Sequence, residues 1–298
     1  MLRPEYKPGK RWTCGKILFW RVFVVITISA LPLNPVSASD TYVSISSLPV
    51  VAQVGAVRSR TDVVNPPLHA GPRNEFHFAR LVFDVNTQHG WGPGRPWWRI
   101  DWPEAEEHFL TGLSRYTVIN SSTDSVHVEL KDESLFDYPW LFVQQAGRWR
   151  IDDLGANRLG EYLRRGGFLL ADDVHGPNDW NTFSEVMKRA LPEYDIEEIG
   201  SDEAIISILY DVDHRVQIPG RRHITSNDGA GNVQVNMPHS PHRWRGIRDS
   251  NDKWIVAINF NMDMGDSWEH ADDPYYPLSM TSLGYRLGMN YIVYALTH

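Results

Sequence analysis

The sequence of 298 residues predicts an α/β fold with a mainly parallel sheet. Short apolar segments alternate with amphipathic segments of ten or more residues, which is typical of β-α-β units. One apolar segment, Phe168–Ala171, is followed directly by two aspartates and a histidine. Polar residues at such strand ends commonly form the ligand sites of α/β sheets. Later in the chain, Arg243–Arg248 and Lys253–Asn261 flank a polar turn, which predicts a hairpin.

Strands are predicted from apolar runs, and helices from apolar positions at every third or fourth residue. Asp101 and Asp152 are expected to cap the first two helices, and Gly166 to end the second. The last helix, Ser279–Thr297, is apolar on nearly all sides, so we expect it to be buried. The remaining predicted elements are strands at Arg80–Asn86, Val126–Leu130 and Trp140–Gln145, and a helix at Asn181–Ala190.

The first 38 residues have the pattern of an export signal. Six basic residues come before the ten-residue apolar core Val22–Leu31, and the small residues Val36-Ser37-Ala38 follow it. That core is shorter than the roughly 20 residues that a membrane-spanning helix needs. We therefore expect cleavage near Ala38 and a periplasmic protein without stable membrane insertion; the alternative is a retained anchor. Residues 39–75, rich in Ser, Val and Pro, are predicted to form a low-complexity tether, and residues 76–298 the α/β domain.

Charge and cysteine content exclude several classes of function. The chain has 29 basic and 37 acidic residues; without the six basic and one acidic residue of the signal, 23 and 36 remain, a net charge of −13. Such an acidic domain is not expected to bind nucleic acid or anionic lipid. The single cysteine, Cys14, lies in the signal, so the mature chain has no thiol nucleophile.

Candidate site residues come from three polar segments that each follow a predicted strand: Thr87–Asp101, Asp172–Asn178 and Asn259–Glu269. Since the carboxyl ends of parallel strands share one edge of a sheet, these segments are expected to line one cleft. The candidate catalytic residues are Asp173, His175 and Glu269. The candidate ligand-binding residues are Asp172, Asn178, Asp266, Trp268, Trp97 and Trp98.

The residue types suggest roles for these positions. Asp173 and Glu269 would contact polar groups of a ligand, and His175 would act as acid, base or donor near neutral pH. Trp268, and at least one of Trp97 and Trp98, would stack on a sugar ring. The alternative for Asp172 is a capping role, because an Asp after a buried strand often caps the next helix.

Metal binding is a further alternative. The carboxylates and His175 would then join Asp263, Asp266 or Glu269 around a hard or borderline cation. The spacing matches no strong ligand motif, so we predict no cofactor and keep a divalent metal as the alternative.

Several segments together resemble the bacterial domain of unknown function 4159 family, over about residues 76–298. They are Asp101–Glu106 (DWPEAE), Leu135–Pro139, Leu163–Gly176, Ile218–Gly220, Gly265–Glu269 and Arg286–His298. The resemblance implies a flavodoxin-like, class I glutamine amidotransferase-like three-layer sandwich. In amidotransferases of this fold the loop after this strand carries a catalytic Cys, whereas this chain has Ala171-Asp172-Asp173. Amidotransferase activity is therefore not expected.

We expect an exported protein that binds a small polar or glycan ligand at the carboxyl edge of its sheet. One alternative is a hydrolase, metal-assisted or not, that uses the same carboxylates. Another is a non-catalytic scaffold with protein partners in the cell envelope.

Overall fold

The computed structural model describes residues 75–85, 96–212, 216–228, 233–237 and 241–298. The predicted export signal, all but the last residue of the predicted tether, and most of the first polar segment lie outside these residues. Within the described ranges, no helix combines the length and apolar character that a membrane span requires.

The described residues form eleven strands and five α-helices. The strands are β1 (Ala79–Val82), β2 (Asp84–Val85), β3 (Val126–Glu129), β4 (Trp140–Gln144), β5 (Trp149–Arg150), β6 (Phe168–Val174), β7 (Ile196–Glu198), β8 (Ile224–Asn227), β9 (Val233–Val235), β10 (Arg243–Arg248) and β11 (Trp254–Phe260). The helices are α1 (Glu104–Tyr116), α2 (Asp153–Arg164), α3 (Gly176–Ala190), α4 (Met264–Glu269) and α5 (Leu278–Thr297).

A seven-stranded sheet forms the centre of this part of the chain, in the order β3-β1-β4-β6-β11-β10-β7. Its first five strands run parallel to their neighbours. The last two strands, β10 and β7, pair in antiparallel fashion. The predicted α/β class with a mainly parallel sheet is therefore confirmed, and so is the hairpin formed by β10 and β11.

Alternate residues of the central strands enter two apolar clusters, one on each face of the sheet. On β6, Leu169 and Ala171 belong to the first cluster, whereas Phe168 and Leu170 belong to the second. Helices α2 and α3 contribute to the first cluster, and α1, α4 and α5 to the second. The fold is thus a sheet between two helical layers, since each face of the sheet must be covered by apolar helix surface.

The predicted helix ends are confirmed in part. The Asp152 carboxylate accepts a hydrogen bond of 2.8 Å from the Gly155 N–H and so caps α2. Gly166, with a φ of 97°, follows the end of this helix. The predicted cap at Asp101 is wrong, because α1 begins after Pro103 without a side-chain cap.

The second polar segment contains more regular structure than predicted. Strand β6 continues to Val174, because Asp172 pairs with Gln144 of β4 and Val174 with Phe260 of β11. Helix α3 then begins at Gly176, earlier than the predicted start at residue 181. The aspartates therefore belong to a paired strand, and the chain turns directly from that strand into α3.

Candidate functional site

The carboxyl ends of three neighbouring parallel strands carry the polar residues of the site. Strand β4 ends in Gln144, β6 carries Asp172 and Asp173, and β11 carries Asn259. Because β6 lies between β4 and β11, these residues meet at one edge of the sheet. The second and third predicted polar segments therefore lie side by side.

Asp173 and His175 form the centre of this edge. Asp173 is almost fully buried. Its φ of 58° differs from the extended backbone of a strand, so its carboxylate departs from the regular alternation of side chains. One of its oxygens, Oδ1, lies at ion-pairing distance from His175 Nε2, and the other accepts a hydrogen bond from Gln145 Nε2. Apart from this contact with Asp173, neither ring nitrogen of His175 has a hydrogen-bond partner among the described residues.

Asp172 has a structural position. Its Oδ1 accepts a hydrogen bond of 2.9 Å from Asn259 Nδ2, and its Oδ2 accepts one of 2.9 Å from the Gly265 N–H. Asn259 in turn accepts a hydrogen bond of 3.0 Å from the Tyr291 hydroxyl. Both oxygens are therefore engaged within the protein, and the side chain is fully buried. It joins β6 to β11 and to the start of α4.

Five carboxylates form a continuous group, which we call the acid row: Asp173, Asp263, Asp101, Asp266 and Glu269. They belong to three overlapping sets, and within each set one atom per residue lies within 4.8 Å of the others. The sets are Asp173 with His175 and Asp263; Asp101 with Asp263 and Asp266; and Asp266 with Glu269 and His270. Glu269 thus lies at the opposite end of the row from His175.

Helix α4 and the segment before α1 bring these carboxylates together. Asp263 caps α4 and accepts a 3.3 Å hydrogen bond from the Asp266 N–H. Asp101 has a φ of 66°, and its carboxylate accepts a hydrogen bond from Gln144 Nε2. The Asp266 carboxylate accepts a hydrogen bond from the Arg221 N–H. Residues from 101 to 270 therefore contribute to one cluster.

Two glycines leave room for the acid row. A Cβ at Gly265 would lie 2.4 Å from Asp101 Oδ2, which is closer than atoms of two side chains approach. A Cβ at Gly220 would lie 2.7 Å from Asp263 Oδ2. These close approaches explain glycine at both positions, because any side chain would displace a carboxylate.

Burial and mutual repulsion raise the pKa of the carboxyl groups. The pKa values of Asp101 and Asp263 lie well above their usual range, first because of burial and then because of neighbouring carboxylates. Burial, and to a smaller extent the charge of Asp173, raises the pKa of Asp172 to about 7. Burial lowers the pKa of His175, but the Asp173 carboxylate more than offsets this, so the pKa is raised overall. The site therefore favours bound protons or a bound cation.

A cavity of about 490 Å³ opens beside His175, and we call it the His175 cavity. Its other lining residues are Trp97, Gln145, Arg148, Gly176, Pro177, Asn178, Asp179, Arg222 and His223. Arg148 lies over the Trp97 ring, 4.7 Å from its centroid, and 3.6 Å from the Asp179 carboxylate. Another cavity, of about 350 Å³ beside the start of α5, is lined by no member of the acid row. No member of the acid row lines the His175 cavity either, but this cavity includes His175, which contacts Asp173.

The three tryptophans predicted to bind a ligand have different surroundings in the structure. Trp268 is fully buried and packs on Phe109, with ring centroids 4.3 Å apart. Trp98 is buried against His127, with centroids 5.0 Å apart, and does not line the cavity. Trp97 is also buried, but it forms part of the cavity wall. The exposed Asn178 lies at the cavity as well.

Sequence reasoning missed three contributors to the site: Gln144, Gln145 and Asp101. The two glutamines end a predicted strand next to β6, so their place at a strand end was the available signal. Asp101 was interpreted as a helix cap, because its position before a helix has that local pattern.

Comparison with protein families gives a match. The model of the DUF4159 family, a domain of unknown function, matches residues 77–296. A comparison with curated proteins finds no match. Since the family match covers well over half of the chain, the protein belongs to the DUF4159 family.

Proposed function

We propose that this protein binds a polar, carbohydrate-type ligand in the His175 cavity and carries out no amidotransfer. The observation that carries this proposal is the cavity itself, which joins a polar wall to the contact between His175 and Asp173. Its volume of about 490 Å³ lies in the range of small-molecule sites. The predicted export signal would place the cavity in the periplasm, where it would meet glycans of the cell envelope.

The chemistry of the wall favours a ligand with many hydroxyl groups. Asn178 offers both a donor and an acceptor, Arg222 offers donors, and Asp179 offers acceptors. A hydroxyl group both donates and accepts, so a sugar can use such a mixed wall more fully than a purely anionic ligand. The Trp97 ring adds an apolar surface to this wall.

Calorimetric titration of the full chain with a panel of neutral and acidic oligosaccharides tests the proposal. We expect at least one to bind, and Asn178→Ala to weaken that binding by roughly 2- to 10-fold through the loss of one or two hydrogen bonds. The matched control is Asn181→Ala, an exposed position on the same helix that does not line the cavity. Absence of saccharide binding, or an equal effect of both variants, would overturn the proposal.

Hydrolysis of the bound ligand is a second candidate function. Asp173 and His175 favour it, because a carboxylate in contact with an imidazole at a cavity is an arrangement suited to activating water. Release of reducing ends from the bound oligosaccharide would support hydrolysis, provided that Asp173→Asn abolishes the release. Turnover that persists in Asp173→Asn would contradict this assignment.

A further inference from the structure

We propose that Asp173, His175 and Asp263 bind one divalent cation at the inner end of the His175 cavity. One atom from each residue lies within 4.8 Å of the others. Two ligands of one ion at the typical 2.0–2.6 Å are at most about 5 Å apart, so this grouping is compatible with a single cation after side-chain adjustment. The three residues come from β6, the start of α3 and the start of α4.

The His175 side chain provides a second observation. It is 10% exposed, and its Nδ1 makes no hydrogen bond among the described residues. Its Nε2 lies at ion-pairing distance from Asp173 Oδ1. Buried polar atoms are normally satisfied, so an unpaired nitrogen on a ring that lines the cavity points to a ligand such as a cation.

The charge around this position also favours a cation. Within the described part of the chain, no Lys or Arg lies at ion-pairing distance from Asp173 or Asp263. Asp101 and Asp266 lie close to Asp263 and offer further carboxylate oxygens. A buried carboxylate without a cationic partner, such as Asp263, is costly, and a divalent ion would offset part of that cost.

Neighbouring groups hold two of the three ligands in place. Gln145 Nε2 donates to the second oxygen of Asp173, and the Asp266 N–H donates to Asp263 Oδ1. Such outer contacts orient the ligands of natural metal sites. The site therefore has an outer shell as well as a ligand set.

The ligand set selects the kind of cation. Two carboxylates and an imidazole suit Zn²⁺ or Mn²⁺ better than Ca²⁺ or Mg²⁺, which prefer oxygen ligands alone. Three protein ligands leave a coordination position open, as in catalytic zinc sites. Because His175 lines the cavity, that position would face a bound ligand. This last step rests on the proposed function: a hydroxyl oxygen of the saccharide would bind the cation directly.

Zinc titration of the full chain, prepared without a polyhistidine tag and treated with chelator, tests the inference. We expect one tightly bound Zn²⁺ per chain by calorimetry and elemental analysis. Asp263→Asn and His175→Gln should each weaken binding by at least about 100-fold, more than most outer-shell changes do. Glu185→Gln is the matched control, since this exposed carboxylate on α3 belongs to none of the three sets, and Glu269→Gln tests the set at the other end of the acid row. Circular dichroism and the melting temperature report whether each variant is folded.

Several results would overturn the inference: no stoichiometric zinc, weak binding that His175→Gln does not change, or binding that only Glu269→Gln abolishes. If the protein binds zinc but no saccharide, the inference is supported and the proposed function is overturned. Saccharide binding by a protein that takes up no zinc would overturn this inference alone.

Discussion

The ion pair between Arg80 and Glu106 is buried, so removal of one partner should strongly destabilise the protein. Both side chains are almost fully buried, at 0% and 1% exposure. Arg80 Nη1 also donates to the backbone oxygens of Trp98 and Ile100, at 2.8 and 2.9 Å. Arg80→Met would leave the Glu106 carboxylate and these two carbonyl groups without their partner. Removal of one partner from such a pair costs about 3–5 kcal/mol of unfolding free energy.

Urea unfolding followed by circular dichroism measures this loss, and thermal unfolding should show a melting temperature lower by roughly 6–20 °C for a domain of this size. Burial, opposed by Arg80, raises the pKa of Glu106, so this carboxyl group can take up a proton once Arg80 is absent. The loss in Arg80→Met should therefore be smaller at pH 5 than at pH 8.

The matched control is the double variant Arg80→Met with Glu106→Leu, which removes the charge that the single variant leaves unpaired. It should recover about 2 kcal/mol or more relative to Arg80→Met alone. A loss below about 1 kcal/mol in Arg80→Met would refute the reasoning. The reasoning would also be refuted if the loss of unfolding free energy in the double variant equalled the sum of the losses in the two single variants, because the two residues would then not interact.

Three other predictions concern stability. A Cβ at Gly284 would lie 1.9 Å from Ser267 Oγ, so Gly284→Ala should cost about 1–3 kcal/mol in urea unfolding, and added Ser267→Ala should restore part of it. Asp152→Ala should cost about 1 kcal/mol by removing the α2 cap, whereas Asp153→Ala, whose ion pair with Arg189 is at the surface, should change little. Burial and nearby arginines lower the pKa of His127 to about 4, so the unfolded chain binds more protons between pH 4 and 6.5. Stability should therefore rise with pH across that window, and more steeply than in His127→Phe; equal slopes would contradict the prediction.

The sheet and the position of the site could be predicted because both depend on local patterns. Apolar runs indicated the strands, and the order of strands and helices indicated a parallel sheet, which places strand ends together. The aspartates after Phe168–Ala171 were found in this way. The carboxyl ends of all parallel strands lie at the same edge of a sheet, so the position of the candidate site could be predicted without knowing which strands are neighbours.

The composition of the site could not be predicted, because it depends on contacts between distant segments. Asp101 has the local pattern of a cap. Only the folded chain shows that its carboxylate accepts a hydrogen bond from Gln144 of β4 and lies beside Asp263 and Asp266 in the acid row. Trp268 lies in a six-residue helix, which is too short to show a periodic apolar face. Its burial depends on Phe109 of α1, about 160 residues earlier.

The pairing of β6 with β11 has a consequence for synthesis of the chain. Leu169 pairs with Val256, so one edge of β6 stays open until the segment around Val256 has been made. A nascent chain that ends before β11 would expose an apolar strand edge and would lack Asp263, Asp266 and Glu269. At the usual 5–20 residues per second, that interval lasts roughly 5–20 s. During this interval β6 lacks its β11 neighbour, and the acid row is incomplete.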